Sequence, residues 1–151
     1  MIVLRFLALW ILVCLLVAPF PSGGLADLTP AELLCLSRDG DAVLARCDGG
    51  LAARGASPVQ AVENLRAAAP GRLELGTVDF AVLTDLPPSC LQDLALRPAC
   101  AVYAAPAVED PDALAVYLRS HRGGVTLGML ADDPSLPVPQ LLPGETGLVL
   151  P

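Results

Sequence analysis

The chain has 151 residues, with nine Arg, no Lys and 16 Asp and Glu, for a formal charge of −7. That length suits one small domain with a real hydrophobic core. A chain this acidic is repelled by nucleic-acid phosphates and anionic membrane surfaces, and its arginines are scattered rather than striped, which excludes a nucleic-acid role.

At the start of the chain, Arg5 precedes the apolar run Phe6–Val17. Pro19, Pro21, Gly23 and the small-residue end Gly24-Leu25-Ala26 follow. This is the pattern of a secretory signal peptide over residues 1–26, with the mature chain starting at Asp27. The rival is an uncleaved anchor, which needs about 20 apolar residues. The run here is shorter and is broken by two prolines. The expected location is therefore periplasmic or secreted, with no stable membrane insertion after cleavage. Without Arg5, eight Arg face 16 acidic residues, and the formal charge becomes −8.

Glu32–Cys47 reads as a β-hairpin turning at Asp39-Gly40. A two-residue turn there pairs Leu36 with Val43 and Cys35 with Leu44, which puts Cys35 and Cys47 on opposite faces. A three-residue turn would put them on the same face. Thr29-Pro30-Ala31-Glu32 is also a rival helix start. Asp48–Ala56 is a Gly-rich loop. Ser57-Pro58-Val59-Gln60 then opens a helix, with Ser57 as cap, Pro58 in the first turn and Gln60 three residues on. Val62, Leu65 and Ala69 form its apolar stripe, and Pro70-Gly71 stops it.

Val78–Leu83 is apolar except for Asp79, as expected of a strand buried on both faces. Leu86-Pro87-Pro88 ends it. Cys90–Leu96 can hold one helical turn, and Cys100–Ala104 reads as a strand. Asp110-Pro111 caps a second helix with Leu114, Tyr117, Leu118 and His121 on one face. Gly123-Gly124 ends it, and Val125–Leu130 reads as a third strand. From Asp132 the chain is Pro-rich and reads as an extended tail. The expected organisation is a signal segment over 1–26, one α/β domain over 27–131 and a tail over 132–151. The fold class is α/β, a small, partly parallel sheet with flanking helices, preceded by a hairpin.

Cys35, Cys47, Cys90 and Cys100 remain after the signal segment. An even number in an exported chain predicts two disulfides. Of three connectivities, 35–47 and 90–100 is the simplest. The second is the firmer, because both residues flank the single segment Leu91–Ala99. No Cys-x-x-Cys is present and there is one His, so neither a metal site nor a cofactor is expected.

The candidate contact residues are Asp79, Gly49 and Gly50. An acid within a buried strand requires a partner. Asp79 either contacts a ligand or accepts from backbone N–H groups near Gly76, and the latter is the blander reading. Gly49-Gly50 can approach a ligand closely but has no phosphate-loop pattern around it. His121 falls at a helix end, where the dipole favours it, and one His alone does not make a catalytic set. No catalytic residue is assigned, and the protein is read as not an enzyme.

Val62-Glu-Asn-Leu-Arg66, then Leu73-x-x-Gly76-x-x-Asp79-Phe80-Ala81-Val82-Leu83, resembles the first lobe of type 2 periplasmic solute-binding proteins. The likeness is greatest to the TAXI-type receptors of tripartite transporters. The strand at Ala101-Val102-Tyr103 and the Gly123/Gly124-Val125-Gly128 segment extend it over Ser57–Met129. Such receptors have two lobes and hold ligand between them, whereas only one lobe's elements are visible here. The resemblance implies a reduced lobe. The functional expectation is an exported, non-enzymatic binding or accessory protein for a small solute or a protein partner. The alternative is a disulfide-stabilised structural or assembly factor of an envelope complex.

Overall fold

The computed structural model describes residues 28–144 and 147–151. The expected signal segment lies outside the described residues. In chain order the elements are β1 (Leu28–Pro30), β2 (Leu33–Asp39), β3 (Ala42–Cys47), β4 (Ala52–Gly55), α1 (Pro58–Ala68), β5 (Arg72–Glu74) and β6 (Phe80–Thr84). They are followed by β7 (Ala101–Ala104), α2 (Pro111–Ser120), β8 (Val125–Thr126), α3 (Leu127–Asp132), β9 (Leu142–Gly144) and β10 (Gly147–Val149). Short 3₁₀ turns occupy Leu75–Thr77 and Pro88–Leu91.

Six strands form one mixed sheet in the order β4-β3-β2-β6-β7-β8. The β2–β6 and β6–β7 pairings are parallel, and β2–β3, β3–β4 and β7–β8 are antiparallel. This is the expected α/β class: a partly parallel sheet with flanking helices and a leading hairpin. β1 pairs with β5 in a separate parallel ribbon, and β9 with β10 in an antiparallel one.

Strand alternation divides the core into two layers. Leu34, Leu36, Ala45, Cys47, Ala81, Leu83 and Val102 face α1, where Val62 and Leu65 meet them. Leu33, Cys35, Phe80, Val82 and Tyr103 face α2, where Leu114, Ala115 and Leu118 cover them. With both faces covered, β6 is buried at all five positions, as its continuous apolar run requires.

Both long helices start as their caps dictate. Ser57 Oγ accepts from Gln60 N–H at 3.2 Å, and Asp110 Oδ1 accepts from Ala113 N–H at 3.0 Å. Helix α1 lies so close to β4 that a Cβ on Gly55 would stand 2.3 Å from the backbone nitrogen of Ala61.

Several expectations need correction. The hairpin turns at Gly40-Asp41, so Asp39 pairs with Ala42 and Leu36 with Ala45. Gly40 supplies the left-handed φ of 63° that the turn needs. Val125–Leu130 is not one strand: only Val125 and Thr126 pair with β7. Thr126 Oγ1 then accepts from Met129 N–H at 3.3 Å and caps α3. Within the Pro-rich segment, Leu141 is fully buried and its N–H donates to Ala104 O at 2.7 Å.

The disulfides are also overturned. Cys35, Cys47, Cys90 and Cys100 are all free, with no pair at bonding distance. Cys35 lies in the α2-side core and Cys47 in the α1-side core, with the sheet between them. Cys90 lies in the 3₁₀ turn Pro88–Leu91 within the β6–β7 crossover and Cys100 directly before β7; both pack on the α1-side core without pairing. Burial pushes the thiols of Cys35, Cys47 and Cys100 up to about 12, and that of Cys90 to about 11.

Candidate functional site

Asp79, Gly49 and Gly50 lie on the amino edge of the parallel strands, around Glu32 at the start of β2. Asp79 precedes β6, and its N–H donates to Glu32 O at 2.9 Å. Its carboxylate pairs with Arg97 and, at 3.4 Å, with Arg122. The backbone near Gly76 is not its partner, because Gly76 N–H donates to Glu74 Oε1 at 3.0 Å. Asp48 Oδ1 accepts from Glu32 and Leu33 N–H, each at 3.0 Å, while Gly49 N–H donates to Asp112 Oδ1 at 2.7 Å. Gly49 and Gly50, with φ of 81° and 78°, shape that turn.

Glu32 pairs with Arg119, whose Nε lies 3.0 Å from Oε1. That guanidinium holds the Glu32 carboxyl below its usual range. These contacts fasten α2 and the crossover to the sheet. His121 belongs to the same end of α2: its ring stacks on Tyr117 at 4.2 Å between centroids, and its N–H closes the helix.

The carboxyl edge is different. There β2 ends in Ser37 and Arg38, β6 in Thr84 and Asp85, and β7 runs into Ala105 and Pro106. Ser37 stands beside Thr84 in the parallel register, and Arg46 stands beside Cys35 across the hairpin. Alternation places Cys35, Ser37, Arg46 and Thr84 on one face of the sheet. They line a notch of about 290 Å³, with Arg38 and Asp85 at its margin and Pro106–Val108 as its far wall.

The notch is polar where the rest of the sheet is not. Thr84 is the sole buried polar residue among those described. Arg46 reaches over the sheet and donates to Val108 O at 2.6 Å and to Glu109 O at 2.8 Å, which holds the wall in place. Arg38 is exposed, and its Nε donates to Asp85 O at 3.4 Å. Asp85 adopts φ 55°, the one left-handed non-glycine among the described residues. Such conformations are retained where the surroundings over-determine them, and they cluster at functional sites. The notch thus gathers two hydroxyls and the exposed Arg38 guanidinium, beside the Asp85 carboxylate, while the Arg46 guanidinium is held against the wall. Its donors suit a small oxyanion. No group of three or more metal-ligating side chains occurs among the described residues.

The signal that could have found this site is Thr84-Asp85 directly after an apolar strand, together with Ser37-Arg38 after another. Open α/β sheets bind ligands outside the carboxyl ends of their strands, where those pairs fall. No family model, curated protein or solved structure matches this chain. Among the described residues, no helix is long and apolar enough to cross a membrane.

Proposed function

We propose that the protein is an exported, non-enzymatic binding protein that holds a small anionic solute in the notch at the carboxyl ends of β2, β6 and β7. The observation that carries this reading is the convergence of Ser37, Thr84, Arg38 and Arg46 on one concavity. Hydrogen bonds from guanidinium groups to an oxyanion are the strong, charge-assisted kind. Placement at the carboxyl edge agrees with where sheets of this class bind ligands. Export is supported by the charge, apolar core and small-residue end of residues 1–26.

The non-enzymatic part rests on the chemistry of the site. Burial holds the Cys35 thiol protonated, with its pKa pushed up to about 12, so it is a poor nucleophile. The single histidine stacks on Tyr117 and lines no part of the notch.

A thermal-shift screen tests the reading, using acetate, succinate, phosphate and sulfate, with choline as cationic control. A ligand that binds only the folded state raises the melting temperature with concentration. The expected result is a saturable rise with at least one anion and none with choline. No saturable rise with any of the four anions would count against the proposal.

A further inference from the structure

A second concavity lies on the other side of the Pro106–Val108 wall. It has a volume of about 710 Å³ and is bounded by α2 on one side and the β9–β10 hairpin on the other. That size is within the range of sites for drug-sized molecules. Apolar side chains stand on both walls, Ala113, Leu114 and the Tyr117 ring from α2 facing Pro143, Leu148 and Val149 from the hairpin, with nearly as much polar surface between them. The hairpin is anchored from both sides. Leu141 is fully buried before it, and after it Leu150 N–H donates to the Tyr117 hydroxyl at 2.9 Å.

The charge of this cleft is opposite to that of the notch. Glu109 and Asp110 line it, and no arginine or histidine among the described residues does. Asp110 spends Oδ1 on capping α2. Glu109 is exposed, and its carboxylate makes no hydrogen bond or ion pair with the described residues. The Arg46 guanidinium is turned to the backbone carbonyls of Val108 and Glu109. A slot with apolar side chains on both walls and the exposed Glu109 in its lining is complementary to an apolar body carrying one positive charge.

We infer that the cleft between α2 and the C-terminal hairpin is a second binding site, for a small amphiphilic amine whose apolar body lies between Leu114 and Leu148 and whose ammonium faces Glu109. The site shares the Pro106–Val108 wall with the anion notch but none of the notch's side-chain donors.

The test is calorimetric titration of the purified chain with octylammonium, hexylammonium and octanoate, all below their micellar concentrations. Octylammonium should bind one per chain and more tightly than octanoate. Each added methylene should strengthen binding by about fourfold if it is buried. Glu109→Gln should weaken octylammonium by about three- to fivefold, as expected of an exposed charge pair. Ala113→Phe, at an exposed position that projects into the cleft, should abolish binding. Arg38→Ala should leave it unchanged. Amide shift changes at Ala113, Leu148 and Val149 on titration locate the ligand even if Ala113→Phe does not fold. Octanoate binding as tightly as octylammonium, shift changes elsewhere, full binding by Ala113→Phe, or no binding would each overturn the inference.

Discussion

Replacing Phe80 by Ala tests whether β6 is the centre of the fold. Phe80 is 2% exposed and lies in the α2-side core with Leu33, Val82, Tyr103, Leu114 and Leu118. It pairs with Leu33 on one side and Ala101 on the other, so its neighbours are fixed by two strand pairings and cannot collapse into the gap. A large-to-small change at such a site costs the lost transfer energy plus the cavity, about 3–5 kcal/mol. A domain of this size has about 5–15 kcal/mol in total, so the variant should sit close to unfolding. The melting temperature should drop by roughly 10–20 °C. Urea and thermal melts measure both quantities. Val116→Ala is the control: Val116 is 59% exposed on the outer side of α2, and its loss should fall within about 0.5 kcal/mol. A Phe80→Ala protein within about 1 kcal/mol of the parent would refute the two-layer core.

Peptide mapping without reduction should find Cys35, Cys47, Cys90 and Cys100 free, and a thiol reagent should label half-buried Cys90 before the other three in the folded protein. Asp79→Asn should cost about 1 kcal/mol in a urea melt, because Arg122 is largely exposed and Arg97 is only half-buried, and such pairs are weak. It should leave anion binding at the opposite edge unchanged. Glu32 has a folded pKa below its unfolded one, so its stabilising contribution is full above the usual carboxylate range and is lost as pH falls through the lowered value. Melts from pH 7 to pH 3 should show that loss in the parent and a shallower acid slope in Glu32→Gln.

The sequence specifies its helices through local chemistry. Ser57 and Asp110 bond to their own first turns, so the caps are legible without any tertiary information. The Val78–Leu83 run is legible as a buried strand for the same reason, although β6 begins two residues later because Val78 and Asp79 finish the preceding turn. Register was harder to read. Asp39-Gly40 and Gly40-Asp41 are both good turns, and what separates them is which residues meet across the whole hairpin. Val125–Leu130 is ambiguous on its own. Cys100 O and Pro98 O accept from Leu127 and Gly128 N–H, and these long-range bonds end the strand where Thr126 can cap α3.

The disulfide expectation failed because even cysteine counts and short spacings ignore which face a side chain occupies. Asp79 was visible as an anomaly, but its partners Arg97 and Arg122 come from distant segments that no local pattern connects to it. The notch has no local signature, because its residues are ordinary polar strand ends. Parallel pairing of β2 with β6, joined by the hairpin register, is what brings Ser37, Thr84 and Arg46 together.

The central claim is that the notch binds a small anion. Calorimetric titration of the parent, Arg38→Ala and Thr84→Val with the most stabilising anion of the screen tests it most directly. Neither change disturbs the packed layers: Arg38 is exposed, and Thr84→Val keeps the shape of the side chain while removing its hydroxyl. Removing the exposed charged donor should cost up to about 1 kcal/mol of binding, a loss of about three- to fivefold, and removing the buried hydroxyl about 0.5–1.5 kcal/mol. Weakening by both variants, with melting temperatures close to the parent's, is the predicted result. Equal affinity in all three proteins would contradict the account.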